Sequence, residues 1–185
     1  MSWTVTSNYG GHIVPYIEKA NSKGILMFGA ASDQGKNATS KVYPAECDQV
    51  FCIGSANSAG KADSAAESQA NYVFPGGELS DIKAQGCDRT PEHAFGSSFA
   101  MALASGLTAL ILDCTEIVGY GKKYRSSIKT KDRMDAIFEG MIRDKTSKYI
   151  PVPKFFTPEL AKSDWNVDGK KMLEKLVETI IRYES

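Results

Sequence analysis

A chain of 185 residues, 42% of them apolar, is long enough to bury one core of domain size. Lys and Arg total 22 and Asp and Glu total 22, so no net field draws the chain to nucleic acid or to an anionic membrane, and neither is expected as a partner. No apolar run reads as long enough to cross a bilayer, and the first residues lack the charged-then-apolar pattern of a signal peptide; the expectation is a soluble chain, with an intracellular setting left open.

In chain order, Ser2 to Thr6 alternates enough to predict a short strand, followed by a loop at Asn8, Gly10 and Gly11. Ile13, Val14, Tyr16, Ile17 and Ala20 recur at helical spacing. Pro15 is acceptable there because it falls in the first turn, and Gly24 lies just beyond the end. Gly24 to Ala30 is a continuous apolar run of strand length, as expected where helices cover both faces of a parallel sheet. Strand, helix and buried strand predict a βαβ unit. Ligands in such sheets bind beyond the carboxyl ends of the strands, which puts Ala31-Ser32-Asp33-Gln34-Gly35 at the mouth of a site.

Lys36 to Pro44 reads as polar loop, Gln49 to Ser55 as a second buried strand, and Asn57 to Ala70 as a surface connection. Asn71 to Phe74 is a brief strand stopped by Pro75-Gly76-Gly77, and Glu78 to Glu92 is irregular. Phe95 to Leu112 then reads as a buried helix with a serine at its mouth. Gly96 permits a turn that a Cβ would resist, and Ala100, Ala104 and Gly106 are small enough for neighbouring backbone to approach. Ser98 falls in the first turn, where unsatisfied N–H groups and the positive end of the helix dipole favour a developing negative charge. That suits a nucleophile, and on this stretch alone Ser97 or Ser98 equally suits the N-cap of a core helix.

Farther on, Gly119 to Lys131 is a basic stretch best read as a solvated face. Met134, Ile137, Phe138, Met141 and Ile142 share one helical face, and Pro151, Pro153 and Pro158 interrupt the chain, with Phe155 and Phe156 expected to pack back on the domain. Gly169 to Tyr183 predicts a last helix with a broad apolar stripe. Cys47, Cys52, Cys87 and Cys114 make no Cys-x-x-Cys pair and read as reduced, with Cys52 and Cys114 in the core; two histidines are too few for a zinc cluster. Asn37-Ala38-Thr39 is an isolated sequon. A serine nucleophile needs a base, and His12 and His93 are the two imidazoles present; the default for both is an exposed or hydrogen-bonded histidine.

Several blocks, in a fixed order, resemble the subtilisin-like serine peptidases, the subtilase family. Gly96-Ser97-Ser98-Phe99-Ala100 through Gly106 falls on the family's Gly-Thr-Ser-Met-Ala-x-Pro-x-x-Ala-Gly signature, with Ser98 at the nucleophile's position. Tyr43-Pro44-Ala45 with Val50 to Ser55 resembles its Tyr-Pro-Ala block and following strand, and Phe74-Pro75-Gly76 its Ala-Pro-Gly. Ile25 to Gly35 is similar to the strand carrying the oxyanion-hole asparagine, and Met1 to Thr4 to a strand lining the substrate cleft. The resemblance covers about residues 1 to 113 and implies an α/β fold, a subtilisin-like parallel sheet flanked by helices. The domain's N-terminal half, which carries the catalytic Asp and the His-Gly-Thr motif, is not in this chain. Residues 114 to 185 are then expected to form a helical extension packing on the same domain.

The resemblance implies acyl transfer to a peptide or protein substrate through Ser98, with His and Asp supplied by a companion N-terminal segment or chain. Ser98 N–H and Asp33 would line the oxyanion hole. Ser2, Trp3, Thr4, Ala30, Ala31, Ser32 and Ser97 would flank the pocket for the residue before the scissile bond, with Trp3 favouring apolar contact. No cofactor is required; many subtilases bind Ca²⁺, but no carboxylate cluster here is assignable to it. One departure matters. The family places Asn where this chain has Asp33, and an ionised carboxylate cannot donate to an oxyanion, so Asp33 serves only protonated or turned away. Loss of that donor in subtilisin itself costs about 10²–10³ in turnover. Two other readings stand beside the peptidase: a subtilase fold without a triad that binds peptides or protein partners, and a small α/β domain of unknown role.

Overall fold

The computed structural model describes residues 1–3, 5, 12–31, 42–62, 69–76, 96–118, 128–142, 146–152, 174, 177 and 178. Helix α1 spans Ile13–Ser22 and leads into strand β1, Met27–Ala30. The turn between them closes as the sequence suggests: Gly24 takes φ 68°, its N–H reaches Asn21 O at 2.9 Å, and Ile25 N–H reaches Ala20 O at 3.1 Å. This is a Schellman closure, which needs a residue tolerant of the left-handed region at Gly24. Strand β2 is Val50–Ala56 and β3 is Tyr72–Pro75. The three strands form a parallel sheet in the order β1-β2-β3, with Met27 opposite Val50 and Ile53 opposite Tyr72. The fold is therefore α/β.

Backbone bonds extend the sheet at both sides. Met1 lies along β1, its N–H on Phe28 O at 2.6 Å and its carbonyl accepting Ala30 N–H at 3.3 Å. On the far side Val73 N–H donates to Lys148 O and Ile150 N–H to Val73 O, both at 2.9 Å. The strand expected over Ser2 to Thr6 is not formed as such in its described part. Met1 follows β1, whereas Val5 pairs antiparallel with Tyr43, so the segment changes partner within a few residues.

β2 is buried along its whole length because both faces are covered. Side chains alternate across it. Phe51 and Ile53 join Phe28, Tyr72 and Phe74 in the main cluster, against helix α2 (Ser97–Ile117) and helix α3 (Lys131–Met141). Val50 faces the other way with Ile17, Met27 and Cys47, next to α1, and Cys52 joins Ala31, Val42 and Ala45. The α3 residue Phe138 sits among four other rings: 5.2 Å and edge-on to Tyr72, 5.5 Å from Phe74, 5.6 Å from Phe51 and 6.5 Å from Phe28. Such tilted and edge-on contacts suit the ring quadrupoles. Val177, from the expected last helix, is also buried in this cluster. Phe155, Phe156, Cys87 and the sequon at Asn37 lie outside the described residues.

α2 crosses all three strands on one face. Ala100, Met101, Ala104, Leu107 and Ile111 point into the sheet, and the small Ala100 and Ala104 permit the close approach expected of them. Gly106 does not serve that purpose: it faces away from the sheet, with nothing near the place a Cβ would occupy. Thr108 and Thr115 are buried but satisfied within the helix, donating to Ala104 O at 2.9 Å and Leu112 O at 2.8 Å. The expectation about apolar runs needs amending. By length and composition alone, α2's 21 residues could cross a bilayer. Here its apolar stripe packs on the sheet, as a core helix does.

Candidate active site

The carboxyl ends of all three strands meet the start of α2. β3 ends in Pro75-Gly76, and Gly76 N–H donates to Ala56 O at the end of β2, 3.0 Å away. Gly96 N–H in turn donates to Gly76 O at 2.7 Å, tying the residue before α2 to the end of β3. A Cβ on Gly76 would stand 2.7 Å from Ser55 Cβ and 2.8 Å from Gly96 O, so this packing needs glycine. Gly96 itself holds φ 122°, a backbone state that side chains with a Cβ resist.

From this turn two serines point different ways. Ser97, 1% exposed, donates from Oγ to Ala31 O at 2.5 Å. Ser98, partly exposed, donates from Oγ to Ser2 O at 3.2 Å. In the first turn of α2 the N–H groups of Phe99 and Ala100 both turn back to Gly96 O, at 3.1 and 3.3 Å. For Ser98 N–H there is no acceptor among the described residues. The geometry therefore offers a hydroxyl at an open edge, a backbone donor beside it, and the positive end of a 21-residue helix behind both.

Among the residues named from sequence, Ser2, Trp3, Ala31, Ser97 and Ser98 are thus brought to one corner. Trp3 is half exposed there, as a side chain lining a cleft is. Ala30 and Ala31 are buried, with N–H groups on Met1 O and Ile53 O, so neither presents a side chain to an open pocket. Ser97 was expected among the residues flanking the substrate; its burial and its bond to Ala31 point it into the protein. Thr4, Ser32, Asp33 and His93 lie outside the described residues. His12 is exposed and immediately precedes α1.

The three thiols among the described residues are poor alternatives as nucleophiles. Burial pushes Cys52 up to about 11, with Glu46 adding to it, and burial also raises Cys47 and Cys114. Among the described residues no group of three His, Cys, Asp or Glu side chains is arranged to hold a metal ion. Sequence reasoning missed the partners of the two serines, Ala31 O and Ser2 O. Both acceptors are backbone carbonyls, 66 and 96 positions away, and no local pattern encodes them.

Comparison with known proteins bears on this arrangement. The subtilase family model matches residues 1–131. No curated protein matches the chain. Among solved structures, that of the prenylagaramide maturation protease PagA superposes with a TM-score of 0.52 at 17% identity, over 76% of this chain and 53% of that one. The chain thus spans about half of that protein's length, and at this identity the likeness concerns the fold. The family match runs from the segment beside β1, through every strand and the serine corner, to the first residue of α3, and the chain belongs to the subtilase family.

Proposed function

We propose that the chain is part of a serine-type endopeptidase in which Ser98 is the nucleophile and a companion segment or chain carries the His and Asp. The observation that carries this reading is the open position of Ser98 in the first turn of α2, hydroxyl and backbone N–H together, on a chain of the subtilase family. In the reaction, Ser98 Oγ attacks the peptide carbonyl as its proton passes to the companion's His. The C–N bond breaks, that proton leaves with the amine, and water then hydrolyses the ester by the same route. Ser98 N–H donates to the oxyanion, and Asp33 assists only in its protonated form.

A substrate strand would run past Ser2, Trp3 and Thr4, with Ser32 across from them and Trp3 favouring apolar side chains. Residues 1–113 carry the site in this reading, and residues 114–185 form an extension on the same domain. Burial of Phe138 and Val177 together with the β1–β3 side chains supports that packing.

A second reading, a binding module without turnover, is favoured by one feature: the Ser98 hydroxyl spends its proton on the Ser2 carbonyl rather than on a base. A fluorophosphonate probe separates the two. On the native preparation, the active reading expects an adduct on Ser98, located by mass spectrometry and abolished in Ser98→Ala. An unmodified Ser98, with a known subtilase labelled in parallel, leaves the binding module as the better account.

A further inference from the structure

We infer that Ser97 is a positioning residue: its buried hydroxyl ties the first turn of α2 to the end of β1, and so sets where Ser98 stands. The role assigned to Ser98 rests on the peptidase reading above, whereas the tie itself rests on geometry alone. Ala31 is held through both of its backbone polar groups, which belong to successive peptide units. Its N–H donates to Ile53 O on β2 at 2.8 Å, and its carbonyl accepts Ser97 Oγ at 2.5 Å. The two residues are 2% and 1% exposed, so neither the bond nor the hydroxyl is open to a substrate.

The contact is not a helix cap. An N-cap serine accepts from an amide two or three residues on, whereas Ser97 lies one residue inside the helix and donates to a carbonyl 66 positions earlier. The residue at the N-cap is Gly96, which has no side chain to offer. The carbonyl that Ser97 engages faces the positive end of α2, which favours the oxygen's partial charge there. Ser97 thus completes a frame around the nucleophile. Gly96 N–H fixes the turn to β3 through backbone, and Ser97 Oγ fixes it to β1 through a side chain. Only the second tie can be removed without touching the backbone.

A nucleophile displaced by a fraction of an ångström reacts much more slowly, so the tie has a kinetic signature distinct from folding. Ser97→Thr and Ser97→Val add the same bulk and differ in the hydroxyl alone. The first readout is amide exchange, which needs no reactivity. Ala31 N–H is expected to exchange on the order of tenfold faster in the Val variant than in the Thr variant, while Phe51 and Val73 amides are unchanged in both. The second is fluorophosphonate labelling of the native preparation. The maximal labelling rate of Ser98 is expected to fall on the order of tenfold in Val relative to Thr, with the half-saturating probe concentration unchanged.

Equal exchange at Ala31 in the two variants overturns the tie, whatever the labelling shows. Equal maximal labelling rates, in a protein whose wild type labels, overturn its role in positioning Ser98. If Ser98 is never labelled but Ala31 exchange differs as stated, the tie stands and it is the peptidase reading that fails.

Discussion

At the scale of single residues, Cys52 shows how burial sets chemistry. It lies on the face of the sheet opposite α2, 4% exposed among Ala31, Val42 and Ala45. Burial is the main reason its thiol ionises only near 11 rather than at 9.0, so between those values the folded protein keeps a proton that the unfolded chain gives up. The folded state then binds more protons, and stability must fall as pH rises. Over two units the loss approaches about 2–3 kcal/mol. Tyr72 acts in the same direction, its hydroxyl buried and 2.7 Å from an Asp135 carboxylate oxygen. Urea unfolding at intervals from pH 8 to 11 should therefore give a declining free energy, with a shallower decline in Cys52→Ala. Identical slopes in the two proteins would remove burial of this thiol as the cause.

Among the elements, α3 is the one whose importance the ring contacts reveal. Phe138 fills the space between Tyr72, Phe74, Phe51 and Phe28 and is fully buried. Truncation there removes a large apolar surface and leaves a hole that flat neighbouring rings fill poorly. Phe138→Ala is expected to cost about 3–5 kcal/mol. Tyr16→Ala, at a position 74% exposed on α1, should change stability by no more than about 0.5 kcal/mol. Denaturant midpoints of the two variants check the contrast, and a small effect at Phe138 would mean that α3 is not part of the cooperative core.

The elements also show what a one-dimensional reading captures. β1 and β2 were legible because a strand covered on both faces leaves an unbroken apolar run, and α1 because Gly24 marks its end. α2 extends to Ile117, past the Leu112 at which its apolar run gives out, because Cys114 and Thr115 continue the buried face beyond Asp113. Ser98 could be named from its motif, but the orientation of Ser97 could not. Whether a hydroxyl at the start of a helix caps it, lines a cleft or bonds to a distant carbonyl depends on which strand end arrives beside it. The strand expected over Ser2 to Thr6 differs for a similar reason: its alternation is compatible with a strand, but Met1 bonds to β1 while Val5 pairs with Tyr43.

For the whole molecule, the serine corner is a meeting of segments that lie between residues 2 and 98 of the family match. Ser2, Ala31, Gly76 and Ser98 come together only through bonds such as those spanning 66 and 96 positions. Helix α1 and its Schellman turn, by contrast, need only their own neighbours. Closing long loops must precede any reward from the contacts they bring, so structure rich in distant pairings assembles more slowly than local helix. The corner is accordingly expected to form late in folding. After dilution from denaturant, recovery of probe-reactive Ser98 is expected to trail recovery of the helical circular dichroism signal, and simultaneous recovery would count against this order. On the peptidase reading, a chain arrested before that last closure would hold most of its secondary structure while Ser98 still lacked the backbone carbonyl it now faces.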